Sequence, residues 1–218
     1  MSFGGPKPPR LTAALAGVPT GVQALGPWSG RRQLFVKFAQ EAETATMFTA
    51  DALRSELKRC AERSRYHSVV IAGRDPLAEA DFLHAVFGTD RLLPVMLDHD
   101  GQRPEALEQL LGELSLVQVT LDGTEEGLFL DRVGATLEIS AKRDVPHAVA
   151  ITPEEAGASD AQLLRIVELA HGASDATAVV LHPPVEKPSQ NDRRWTFWLQ
   201  RAAGIHDDVR LLQRLPAP

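Results

Sequence analysis

Short apolar runs alternate along this chain with stretches in which apolar residues recur every three or four positions. The runs are LFVKF (34–38), SVVIAG (68–73), LLPVML (92–97), LVQVTLD (116–122), HAVAIT (147–152), TAVVLHP (177–183) and VRLLQRL (209–215). Most carry Val, Ile or Leu at odd and even positions alike. That is the pattern of strands in a parallel sheet covered by helices, because a strand with one wet face alternates instead.

The stretches between them predict helices. TADALRSELKRCAER puts Leu53, Leu57 and Cys60 on one stripe, with Thr49 as N-cap. PEALEQLLGEL starts on Pro104, a favoured first-turn residue, and aligns Leu107, Leu110, Leu111 and Leu114. SDAQLLRIVELAHG has Ser159 or Asp160 as cap, Leu163 and Val167 on its stripe and Gly172 as its stop. NDRRWTFWLQRAAG opens on Asn191 or Asp192, places Trp195, Trp198 and Leu199 on one face and ends at Gly204; Phe197 falls off that face. A weaker helix over 124–143 is interrupted by Gly127 and Gly134. Six or seven right-handed βα units result, mostly parallel, as a partial (β/α)6-type barrel or an open doubly wound sheet.

The chain's 218 residues suffice for one well-buried α/β domain. We read residues 1–20 as a loose Pro/Gly-rich segment and 21–218 as the domain. A net charge of -6, with basic residues grouped only in pairs such as Arg31-Arg32 and Arg193-Arg194, argues against nucleic acid as a partner. The single cysteine, Cys60, rules out an intramolecular disulfide and points to a reducing compartment. No apolar stretch predicts a signal peptide or membrane insertion, so the expected location is cytoplasmic.

One stretch carries a resemblance. VQALGPWSGRRQLFVKFA (22–39) resembles the opening of the 7-carboxy-7-deazaguanine synthases of the radical S-adenosylmethionine superfamily, whose pattern is Q-G-E-G-x-x-x-G-x-x-x-x-F-V-R-x-x-G-C-N. Gln23, Gly26, Gly30, Phe35 and Val36 match, and Lys37 stands where the family has arginine. Further on, SVVIAGRDPL is similar to that family's second strand with its Gly-Gly-Glu-Pro-Leu, and VQVTLDG resembles its fourth-strand signature. The resemblance implies a partial barrel of the radical S-adenosylmethionine kind, an active site at its mouth and a homodimer.

The departures change the expected chemistry. The family's four-iron cluster needs three cysteine thiolates, but Gln40, Glu41 and Ala42 stand in place of Gly-Cys-Asn, and no cluster is expected. In the cofactor stretch Gly73, Pro76 and Leu77 remain, while the second glycine is Arg74 and the glutamate Asp75. Arg74 lacks glycine's close backbone approach and would repel the cofactor's ammonium, so S-adenosylmethionine binding is not expected either. Leu25 replaces a ligand-facing carboxylate.

Three functional readings follow. The first is a catalytically inactive pseudoenzyme whose partner is another protein, serving as scaffold, adaptor or regulator. The second is a sensor that binds a pterin, deazapurine or nucleotide in the old pocket, lined by Gln23, Lys37, Gly73, Arg74, Asp75 and His99. In that pocket Lys37 and Arg74 would receive an anion, unless Arg74 fills vacated space and pairs with Glu41 or Asp75. The third is a cluster-independent enzyme centred on His99, which lies between Asp98 and Asp100 at a strand's carboxyl end, although an Asp/Gly-rich turn accounts for the same residues. His147, His171 and His182 read as packed or dipole-favoured residues, and no metal site is predicted.

Overall fold

A computed structural model describes residues 11–40, 44–89, 91–154, 157–184 and 188–215. The strands are β1 (Thr12–Gly17), β2 (Thr20–Val22), β3 (Arg32–Phe38), β4 (Thr46–Thr49), β5 (Ser68–Gly73), β6 (Val95–His99), β7 (Leu116–Leu121), β8 (His147–Ile151), β9 (Ala178–Leu181) and β10 (Val209–Leu211). The helices are α1 (Ala50–Arg63), α2 (Ala80–Phe87), α3 (Pro104–Glu108), α4 (Leu128–Lys142), α5 (Asp160–Ala173) and α6 (Pro188–Ala203). Among the described residues no helix is long and apolar enough to cross a membrane.

The ten strands of the described residues join one sheet in the order β10-β9-β8-β7-β6-β5-β3-β1-β4, with β2 beside β3. From β3 to β10 every neighbouring pair is parallel. β1 and β2 add antiparallel pairings at the other end. Along the parallel part, sheet order equals chain order without reversal. A doubly wound sheet reverses at a switch point so that helices cover both faces; here, consecutive crossovers of one hand keep them on one face. Helices accordingly pack on their sequence neighbours, α1 on α2 and α3, α4, α5 and α6 in series. The doubly wound alternative is thereby set aside. The hydrogen-bond ladder ends at β4 and β10, so it describes an open, mostly parallel sheet with six βα units and a last strand.

The two faces differ. Leu34, Val36, Ile71 and Leu97 face the helices in one buried cluster, continued by Val119, Val149 and Leu181 in the next. The opposite face carries Val70, Met96, Leu116, Ala148 and Ala178, one residue per strand. That face is partly covered by the chain's own loop between β2 and β3. The loop is closed at its root by Gln23 N–H donating to the Arg31 carbonyl and Gly30 N–H to that of Gln23, both 2.9 Å. Trp28 packs against the opposite-face cluster, and Gly26 N–H donates to His182 Nε2 just past β9 at 2.8 Å.

Local sequence explains most element ends. Thr49 caps α1 by accepting from the Ala52 N–H at 3.2 Å, and Ser159 with Gln162 forms a capping box on α5. Gly127 lies just outside α4 rather than within it, and Gly134 lets α5 approach: a Cβ there would lie 3.0 Å from Leu169 Cδ1. The helix expected over 104–114 is instead α3 followed by a 3-10 turn at Leu111–Glu113. The tighter turn buries Leu107, Leu110, Leu111 and Leu114 together.

Two expectations are corrected. Part of the supposedly loose segment 1–20 is ordered sheet, since β1 pairs with β3 and β4 and β2 begins at Thr20; residues 1–10 lie outside the described residues. The strand expected from 92 begins only at Val95, behind Pro94.

Candidate functional site

The carboxyl ends of β5, β6 and β7 open onto a cleft of 810 Å³. Its first wall is the turn after β5. Gly73 has φ +106, and a Cβ on it would lie 2.3 Å from the Phe38 carbonyl oxygen, so only glycine lets β5 end against β3 here. Asp75 follows in the left-handed region, φ 42, and leads into a 3-10 turn at Pro76–Glu79. Its carboxylate accepts both arms of the Arg103 fork, Nε and Nη2, each at 2.6 Å. Both side chains are over two-fifths exposed, so this pair positions the turn against α3 more than it stabilises the fold.

The floor comes from β6 and β7. Side chains alternate along β6, so Met96 and Asp98 share the helix-free face while Leu97 and His99 share the other. Thr120 Oγ1 donates to Asp98 Oδ1 at 2.6 Å and accepts from Gln118 Nε2 at 3.2 Å, forming a short relay beneath the cleft. Burial raises the Asp98 pKa to about 6, against the opposing pull of its hydrogen bonds from Thr120 and Gln118.

His99 is buried at the cleft's edge, its Nδ1 accepting from Gly101 N–H at 3.2 Å. That bond places the ring proton on Nε2, which has no partner among the described residues. Burial lowers its pKa to about 4, and nearby Asp75 only partly opposes this, so the ring is neutral near pH 7.

Of the residues singled out in the sequence, Gly73, Arg74, Asp75 and His99 line the cleft. Lys37 is half-buried on β3 opposite Ala72 of the cleft wall and does not itself line the cleft. Gln23 is 3% exposed at the root of the β2–β3 loop, away from the lining. Glu41 and Ala42 lie outside the described residues. Thr120, Arg103 and Arg132 carry no motif in the sequence, where Asp98 stands out only as a neighbour of His99. The available signal is the carboxylate in LDHD at a strand end, but β6 is apolar on both faces, so its pattern leaves open which of these residues reaches Thr120.

The donor set does not fit a four-iron cluster. One cysteine cannot supply three thiolates, and Cys60 sits on α1 with its thiol directed to Glu56 Oε1 at 3.6 Å. Burial, then the neighbouring Glu56 carboxylate, push that thiol's pKa up, away from the thiolate form a metal needs. Among the described residues no group of three or more His, Cys, Asp or Glu is placed to hold a metal ion.

Fold and cleft define a mixed α/β protein with a mostly parallel sheet and a polar site at the strands' carboxyl ends. No family model matches the sequence, and no curated protein matches it. Among solved structures, the chain is similar to the crystal structure of QueE from Escherichia coli, with 11% identity, 94% of this chain and 95% of that chain covered, and a TM-score of 0.46.

Proposed function

We propose that the chain is a cluster-free relative of the radical S-adenosylmethionine proteins, on a partial-barrel form of their fold, that works by binding a small polar molecule in this cleft. The cluster-free half is supported by the cysteine count and by Arg74 in the expected cofactor turn. The binding half is carried by one observation, the half-buried Asp98 carboxyl held by Thr120 on the cleft floor. Burying an ionisable group costs stability, and such groups concentrate in functional clefts.

The flanking chemistry defines the ligand class. Asp98 accepts hydrogen bonds, and Arg74 and Arg132 stand in a lining that also holds Asp75, Asp100 and Glu105, a mixed surface suited to a ligand that carries N–H donors together with an anionic group. A pterin, deazapurine or nucleotide presents ring N–H donors together with acceptors or phosphate. His99, being neutral and buried, orients such a ligand rather than acting as an acid at neutral pH.

Calorimetry with a panel of these three ligand classes tests the reading. At least one binds the wild type, and Asp98→Asn weakens that binding by about tenfold, the order of a lost hydrogen bond to a charged group. Affinity also falls as pH drops through about 6, where Asp98 takes up a proton. No binding at millimolar concentrations across the panel, or undiminished binding to Asp98→Asn, would rule the proposal out.

A further inference from the structure

At the amino-terminal ends of β5 and β6, opposite the cleft, α1, α2 and the chain leading into β6 enclose a groove of 240 Å³. Leu57, Val86, Phe87 and Leu93 make it apolar. Leu92 stands beside them 53% exposed, a large apolar side chain left in water. Three cations, Arg54, Lys58 and Arg91, complete the lining, and among the described residues no acidic side chain does.

Arg54 is engaged by Asp51 on its own helix and by Thr89 Oγ1 at 3.2 Å. Lys58 and Arg91 form no ion pair among the described residues. In a chain of net charge -6 this is a local reversal of sign around an apolar hollow. The volume lies below the roughly 300–1,000 Å³ of ordinary small-molecule sites and suits one large anchoring side chain.

We propose that this groove docks an acidic segment of a partner protein, which seats one bulky apolar side chain between α1 and α2 with Asp or Glu on either side facing Lys58 and Arg91. The charge complementarity steers the segment, and the buried anchor holds it. The proposal is independent of the cleft and goes beyond ligand binding there.

Fluorescence anisotropy with a labelled peptide Asp-Glu-Ser-Phe-Ser-Glu-Asp tests it. Saturable binding is expected at low salt, weakening several-fold when salt shortens the screening length from about 10 Å toward 5 Å. The paired exposed-site variant Lys58→Glu/Arg91→Glu, and separately a peptide with Ala for Phe, each lose about tenfold or more in affinity. Asp98→Asn leaves peptide binding unchanged, which separates this site from the cleft. Circular dichroism and melting of the charge-reversed variant establish that it is folded; should it unfold, Leu92→Ser, at an exposed position, takes its place with the same expected loss. Absence of saturable binding up to about 1 mM, or binding that survives both charge reversal and loss of the Phe, overturns the proposal. Tighter binding of octanoate than of the peptide also overturns it, because the groove would then be an acyl-chain pocket.

Discussion

Asp98 and His99 are consecutive on β6 but occupy opposite faces, and burial shifts them in opposite directions. Asp98 goes from 3.8 to about 6 in the folded chain, so the native state holds the extra proton between those values and stability falls as pH rises through that window. His99 goes from 6.5 to about 4, so the unfolded state holds the extra proton and stability rises with pH across 4 to 6.5. Each shift corresponds to about 3 kcal/mol, and in the wild type the two slopes offset over most of their range. Single variants uncover them. Urea denaturation of Asp98→Asn at pH 4.5 and 7 should show stability increasing with pH, and His99→Gln should show it decreasing; parallel behaviour of the two variants refutes the opposed burial. The sequence made His99 conspicuous and Asp98 a mere neighbour. In a strand apolar on both faces, which polar side chain at its end packs beside Thr120 is decided by tertiary packing, which the run LLPVML does not encode.

At the scale of elements, two glycines of the β2–β3 loop take left-handed φ in different surroundings. Gly26 has φ +74, and a Cβ there would fall 1.7 Å from Gln118 Oε1, within the side chain that supports Thr120 and Asp98. Gly30 has φ +83 with nothing within 4 Å of its notional Cβ. Gly30→Ala therefore costs only backbone strain, about 1–2 kcal/mol. Gly26→Ala adds the displacement of Gln118 and of the loop that donates to His182, and should cost at least about 1 kcal/mol more. Equal losses in chemical denaturation would show that the loop does not press on β7. Caps and core stripes were legible here because their signals are local: Thr49 and Ser159 start helices where expected, and Trp195 and Trp198 are buried while Phe197 is 58% exposed. β1 and β4 were not legible. Their short segments TAALAG and TMFT lie in stretches of Pro/Gly-rich or polar composition, and they become strands through pairing with each other and with β3.

Across the whole molecule, consecutive strand order is what separates the two candidate sites. It sends the helices to one face, leaves the cleft at the carboxyl ends of β5–β7, and leaves the groove at the amino-terminal ends of β5 and β6. The parallel α/β plan was readable from the seven apolar runs; the choice between reversed and consecutive order was not, because order depends on which strands pair, and each run is apolar enough for either. The two sites share β5 and β6 but no lining residue. Changes at distant positions without shared partners usually add within about 0.5 kcal/mol. A cleft ligand at a hundred times its dissociation constant should add about 2.7 kcal/mol, a rise of roughly 5–11 °C in melting for a chain of this size. Lys58→Glu/Arg91→Glu should show that same rise, and Asp98→Asn a smaller one. Melting curves with and without ligand check both. If charge reversal at the groove alters the ligand's shift by more than about 1 kcal/mol, the two ends of β5 and β6 are coupled, and peptide docking at one would then change ligand affinity at the other by a reciprocal factor.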